Sequence, residues 1–259
     1  MVTDNKGAIP EIELEGVTKR YRNAEVAVEG ISLTVNRGEF VTFLGPSGCG
    51  KSTLLKLVSG LSPVSDGTVR VNGMTPENAR ELVSFIFQDA TLLPWRTVER
   101  NVGLGMELQH AARLERKERV ARMLDLVSLS HVAKRYPRQL SGGMKMRASI
   151  ARALVSRPRI LLMDEPFAAL DEMPRDRLNE ELLRLFSEQK WTVLFVTHSV
   201  AEAVFLSTRV VILAAHPGRV AHEIDVNLPW PRTAETRESK AFEEQVTQAS
   251  RLLRGVYHV

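Results

Sequence analysis

The 259-residue chain is 44% hydrophobic and 25% charged, with 35 Lys and Arg set against 31 Asp and Glu. This length buries a sizeable core and fits one large domain or two lobes, while nearly balanced charge scattered along the chain argues against a nucleic-acid partner. A single cysteine, Cys49, excludes an internal disulfide framework and a multi-cysteine metal site, as expected of a reducing compartment.

From Ile12 to Val71 the apolar pattern is that of strands: IELEGV, ISLTV, FVTFLG and TVRVNG, parted by the turn formers Asn36-Arg37-Gly38 and Ser65-Asp66-Gly67. Between Thr91 and Ser156 it becomes helical, with Val120, Met123, Leu124 and Val127 spaced at i, i+3, i+4 and i+7. The basic runs Arg113 to Arg122 and Arg135 to Arg147 carry helix-spaced apolar residues and read as solvated helical faces. RILLMDEP and TVLFVTH return as buried strands, with the helical pattern of Asp176 to Gln189 between them, as in parallel strands joined by crossover helices. A tail from Val226 opens with LPWPR and continues as a helix with Phe242, Val246, Ala249 and Leu253 on one face. The apolar runs fall well short of the roughly 20 residues that span a bilayer, and the acidic N-terminus has no apolar leader region. A cytoplasmic setting is expected.

The chemistry begins at GPSGCGKST: Gly45, Pro46, Ser47, Gly48, Cys49, Gly50, Lys51, Ser52 and Thr53, between the strand FVTFL and the helix STLLKLVSG. That is the setting of a phosphate-binding loop. Glycines let backbone N–H groups turn onto phosphates, Lys51 supplies a cation and Ser52 offers a hydroxyl to Mg2+, at a helix N-terminus. ILLMDE is a buried strand ending in two carboxylates at the edge where a nucleotide crevice forms. Asp164 is the candidate Mg2+ holder and Glu165 the group that polarises the attacking water. Ser141, Gly142 and Gly143 offer a hydroxyl and bare amides ahead of a helix, a second anion surface apart from the first.

With LSGG placed 23 residues before Asp164, the chain resembles the nucleotide-binding subunits of ABC transporters over essentially its whole length. The resemblance implies a P-loop NTPase of ABC type: an α/β fold with a mixed sheet core, an N-terminal antiparallel β-subdomain and a helical subdomain. It implies a discontinuous nucleotide-binding core over 1–87 and 157–225, a helical subdomain over 88–156 bearing the signature, and a helical tail over 226–259. ATP and Mg2+ are the implied cofactors. A second copy is the implied partner, packed head to tail so that Ser141 to Gly143 of one closes on the γ-phosphate held by the other. Position by position, Tyr21 matches the aromatic that stacks on adenine, with packing as its other reading. Gln88 matches the glutamine that senses Mg2+ and the attacking water, or is an ordinary loop residue. Asp171 matches the aspartate coupling the two sites, or is a helix N-cap. His198 matches the histidine that contacts the γ-phosphate. Met146 stands where relatives often carry Gln, and Ser199 where Asp often follows the histidine; neither removes a phosphate contact.

LLPWRTVERNV, DEPFAALD and HPGRV followed by LPWPR look like the nitrate, sulfonate and taurine group of importer ATPases. No membrane span is fused to the ATPase motifs, and the chain ends before the regulatory domain of the sugar-importer group. The implied partners are separate membrane permease subunits, met on the cytoplasmic face of the membrane, and an extracytoplasmic solute-binding protein. Trp95 and Leu93 are candidates for the permease contact, with core packing as the other reading for both. A soluble ABC-type ATPase acting on nucleic acid or the ribosome is the rival reading; it calls for a basic stripe, which the sequence lacks. A non-hydrolytic nucleotide switch is the third, and Glu165 and His198 weigh against it.

Overall fold

The computed structural model describes residues 9–21, 25–168 and 170–257. The leader reading of the N-terminus falls in part on residues 1–8, and Ala169 of DEPFAALD also lies outside the described residues.

Among the described residues, two sheets organise the fold. Strands β1 (Ile12–Arg20), β2 (Val26–Val35) and β4 (Asp66–Val71) form an antiparallel sheet in the order β2-β1-β4. The second sheet runs β5-β6-β7-β3-β8-β9, built from β3 (Phe40–Leu44), β5 (Val83–Ile86), β6 (Ile160–Asp164), β7 (Thr192–Val196), β8 (Arg209–Ala214) and β9 (Arg219–Asp225). Its first five strands are parallel and β9 is antiparallel to β8, so the sheet is mixed, as expected.

The central strands β3, β6 and β7 are buried at every position, which is why they read as unbroken apolar runs rather than alternating ones. Alternation decides which core each residue enters. Phe40 and Leu44 of β3 face one cluster and Val41 and Phe43 the other. Helix α1 (Lys51–Val58) fills the side shared with the antiparallel sheet through Leu54, Leu55, Leu57 and Val58. The opposite side takes α2 (Val98–Val102), α3 (Leu104–Leu108), α4 (Arg113–Leu126), α5 (Gly142–Val155), α6 (Glu172–Gln189) and α7 (Val200–Leu206).

The tail adds a short α8 (Ala234–Arg237) and α9 (Lys240–Tyr257). Phe242 and Ala249 of α9 are buried, Val246 and Leu253 pack against the same core, and the Phe242 ring meets Phe205 of α7 edge-on. Among the described residues no helix is long and apolar enough to cross a membrane.

LPWPR has a structural task here. Arg232 is 3% exposed and donates from one guanidinium nitrogen to the carbonyls of Val204, Phe205 and Ser207 at 3.1, 2.8 and 2.8 Å, closing the C-terminal end of α7. Its guanidinium lies over the Trp230 ring at 4.4 Å. Burial lowers its pKa to about 10, still well above neutrality, so the cation persists and suits a helix C-terminus. Arg232→Ala would leave three carbonyls without a donor and the ring without its cation. The expected cost is about 2–4 kcal/mol, seen as a fall in Tm of roughly 4–16 °C by calorimetry.

Candidate active site

The phosphate-loop geometry starts from β3, whose buried run ends at Gly45. Gly50, the N-cap of α1, has φ 89°, and a Cβ there would strike the Val28 side chain and lie 2.8 Å from the Ala27 carbonyl. Only glycine fits. Gly218 makes the same close approach from the β8–β9 turn: a Cβ on it would collide with the Cys49 carbonyl, while its N–H donates to Ala27 at 3.1 Å and its carbonyl accepts from Glu29 N–H at 2.9 Å. HPGRV thus braces the loop from behind.

Among the described residues no side chain caps α1, and its first turn holds no acidic residue, so its N–H groups and dipole favour an anion at that end. The Lys51 ammonium, 7% exposed, donates to the carbonyls of Gly45 and Pro46 at 2.8 and 2.7 Å. Cys49 is fully buried, and burial pushes its thiol up, opposed by the Lys51 charge 3.7 Å away. The Tyr21 hydroxyl lies 3.3 Å from Thr53 Oγ1, with 42% of the residue exposed. This places an accessible aromatic beside the start of α1.

Ser52 Oγ donates to Asp164 Oδ1 at 2.8 Å. Burial raises the Asp164 carboxyl and the Ser52 hydrogen bond opposes the rise. β6 and β7 run parallel with Asp164 opposite Val196, so the residues just past both strand ends meet. Glu165 Oε2 lies 3.4 Å from His198 Nδ1. Glu165 adopts φ 46°, left-handed backbone that is costly for a non-glycine residue, and its N–H donates to the Val196 carbonyl at 3.0 Å. The turn aims the carboxylate back across the strand ends.

Among the described residues no group of three or more His, Cys, Asp and Glu side chains could hold a metal alone. A hydroxyl joined to one carboxylate does fit Mg2+, which is bound by few protein oxygens together with substrate phosphates.

Other expected site residues stand apart. Ser141 is the N-cap of α5, its hydroxyl accepting from Met144 N–H at 3.3 Å, and Gly142 faces open space. No hydrogen bond or ion pair among the described residues joins Ser141, Gly142 or Gly143 to the Gly45–Thr53 loop. Gln88 is exposed just beyond β5 and is not hydrogen-bonded to Ser52 or Asp164. The loop after it is held by Arg152, which donates to the Thr91 carbonyl at 2.9 Å and the Ala90 carbonyl at 3.2 Å. Asp171 occupies the N-cap position of α6, but its side chain makes no capping hydrogen bond.

Gly218, Arg152 and a set formed by the buried Thr197 and Glu202 with the half-buried Arg175 were not anticipated as parts of the site. The glycine in HPGRV, before a strand, is the one that spacing could have flagged. Arg175 and Glu202 look like ordinary charges on amphipathic helices.

The family described as ABC transporter matches residues 28–168. The chain is 40% identical over 237 residues to the aliphatic sulfonates import ATP-binding protein of Bacillus cereus, covering 90% of this chain and 92% of that one. It is 40% identical over 249 residues to the nitrate import ATP-binding protein of Synechocystis, covering 94% of each. Among solved structures it resembles a dimeric ATP-binding cassette in a post-hydrolysis state with ADP and Pi, at TM-score 0.78 and 32% identity over 83% of this chain and 99% of that one. With its phosphate loop, Ser52–Asp164 pair and Glu165–His198 pair in place, the chain belongs to the ABC transporter family, among its ATP-hydrolysing nucleotide-binding subunits.

Proposed function

We propose that this chain drives uptake of a small solute, a sulfonate, taurine, nitrate or related anion, through a separate membrane permease fed by an extracytoplasmic solute-binding protein. It works as a head-to-tail homodimer on the cytoplasmic face of the membrane. The observation that carries the reading is the side-by-side placement of the Ser52–Asp164 and Glu165–His198 pairs at the end of β6, with Ser141 to Gly143 sharing no bond with the Gly45–Thr53 loop. A site that holds phosphates but lacks its second anion surface is what a shared, two-copy site requires.

In this reading Lys51, with the α1 N-terminus, holds the phosphates, and Tyr21 stacks on the adenine. Ser52 and Asp164 would hold Mg2+, with Gln88 reaching it on closure; the ion supplies charge neutralisation at the γ-phosphate when bound. Glu165 orients the attacking water and takes its proton. His198 steadies that carboxylate and reaches the γ-phosphate, and Asp171 couples the two sites across the dimer. We assign residues 1–87 and 157–225 to the nucleotide core, 88–156 to a helical lobe that meets the permease, and 226–259 to the tail.

A groove of about 890 Å3 on the helical lobe, lined by Trp95, Arg96, Glu99, Arg100, Arg113 and Arg116, supports a docking role for that lobe. Trp95 is 70% exposed at its rim, whereas Leu93 is half-buried and its backbone is pinned by the buried Asn101. Trp95→Ala is expected to lower solute-stimulated ATP turnover about 10-fold or more, as truncation of an interface anchor does, with basal turnover and Tm unchanged. A variant that simply unfolds would remove the docking assignment.

The test of function is reconstitution with the native permease and binding protein, followed by a screen of sulfonates, taurine, nitrate and other small oxoanions for stimulated hydrolysis. Stimulation by one class supports import of that class; stimulation by none rejects the branch.

A further inference from the structure

Behind the Glu165–His198 pair lies a buried polar set that the mechanism above does not use. Glu202, on α7 and 6% exposed, accepts through Oε2 from the Thr197 hydroxyl at 2.5 Å. The Thr197 oxygen in turn accepts from Ser199 N–H at 3.1 Å, and Ser199 Oγ accepts from Glu202 N–H at 3.3 Å. These bonds close a ring around the three residues 197–199, and His198 is the central one. The Glu202 carboxylate also meets the buried Asn179 side chain of α6.

Arg175, one turn into α6, supplies an opposite charge, and Arg237 of α8 is a second cation that interacts with Glu202. The Arg175 guanidinium donates to the Leu170 carbonyl at 2.7 Å, fixing the loop that ends at Asp171, while its Nε is buried without a hydrogen bond. Glu165, Arg175, Thr197, His198 and Glu202 line one small pocket of about 10 Å3, about the room of a single water. Burial raises the Glu202 carboxyl, opposed by the Thr197 bond first and then by the Arg175 charge. A capped helix start needs none of this: the Ser199 hydroxyl already caps α7, and burying a carboxylate is costly unless it is paired.

We propose that Arg175 and Glu202 are positioning residues that couple the loop carrying Asp171 to His198, so that movement of that loop is felt at the hydrolytic carboxylate. The link needs no continuous hydrogen-bonded wire: opposite charges flanking one small pocket attract each other across it. Arg175 moves with the loop before α6, and Glu202 moves with the turn that presents the imidazole. Because the Asp171 loop faces the second copy in the proposed dimer, the pocket would make hydrolysis in one site depend on how the partner sits. This inference rests on the assignment of His198 and Glu165 above.

The experiment compares the full-length wild type with His198→Ala, Glu202→Gln, Arg175→Met and the double variant His198→Ala/Glu202→Gln, each with Mg-ATP. Readouts are kcat, KM for ATP and Tm. Glu202→Gln keeps an acceptor for Thr197 and removes a buried charge, so the fold should hold. Glu202→Gln and Arg175→Met are each expected to lower kcat about 10-fold, with KM within about twofold, a size typical of coupling residues. The double variant should be no slower than His198→Ala, because the two act through one group. Losses that multiply, or a folded Glu202→Gln with wild-type kcat, would overturn the link; a parallel rise in KM and fall in Tm would reduce it to packing. Should Glu202→Gln fail to fold, Arg175→Met decides by the same kcat and KM criteria. A His198→Ala protein with wild-type turnover would instead sink the catalytic assignment, which separates the two failures.

Discussion

Glu165→Gln is expected to cut ATP turnover about 10²- to 10⁴-fold, the range for loss of a positioned general base, while leaving ATP affinity nearly intact. In the proposed site the phosphates are held by Lys51 and the α1 N-terminus, and Glu165 touches Asp164 only through its charge, which raises the Asp164 carboxyl less than burial does. The amide occupies the carboxylate's volume and keeps an acceptor facing His198 Nδ1. Turnover should therefore fall without loss of the fold. With hydrolysis stopped and both anion surfaces filled, the ATP-bound protein should migrate as a dimer in size-exclusion chromatography with excess ATP. Turnover within a few-fold of wild type would remove Glu165 from its role.

Gly142→Asp is expected to separate stability from activity. The residue stands at the first position of α5, and a Cβ there meets nothing within 4 Å. A carboxylate at a helix N-terminus stabilises by about 0.3–1 kcal/mol, so Tm should hold or rise. In the proposed dimer the same carboxylate would occupy the surface meant for the partner's γ-phosphate. Two like charges 4 Å apart at a surface-like dielectric repel by about 4 kcal/mol, and a loss of about 10²- to 10³-fold in turnover follows. ATP binding to the monomer should not change, because Ser141 to Gly143 share no bond with the Gly45–Thr53 loop. A turnover within threefold of wild type would place the second anion surface elsewhere.

The parts of this architecture that were legible in sequence are those specified locally. Apolar runs of four or five residues became the buried strands β3, β6 and β7 because both faces of the central sheet are covered. The glycine spacing around Lys51 marked the phosphate loop because the backbone there needs conformations that other residues resist. The helix expected from Asp176 begins earlier, at Glu172; Pro174 sits in its first turn, where its missing N–H costs nothing.

What was not legible depends on strand register and distant packing. The left-handed turn at Glu165 is held by the Val196 carbonyl, 31 residues on, and nothing in DEP specifies it. Arg232 served in sequence only as part of a family-like motif, yet it closes α7 through three carbonyls. Trp95 and Leu93 were equivalent candidates until burial parted them.

The close seating of Gly218 against Ala27 and the Cys49 carbonyl has a consequence for biosynthesis. The loop that grips phosphate borrows its rear wall from a segment made about 170 residues later, and such long-range closures are slow and come late in folding. A nascent chain can hold a complete GKST sequence for most of its synthesis without a finished nucleotide pocket. Cellular ATP, which stabilises only chains able to bind it, would then select for molecules whose β8–β9 hairpin has docked, making the substrate a check on maturation as well as a fuel.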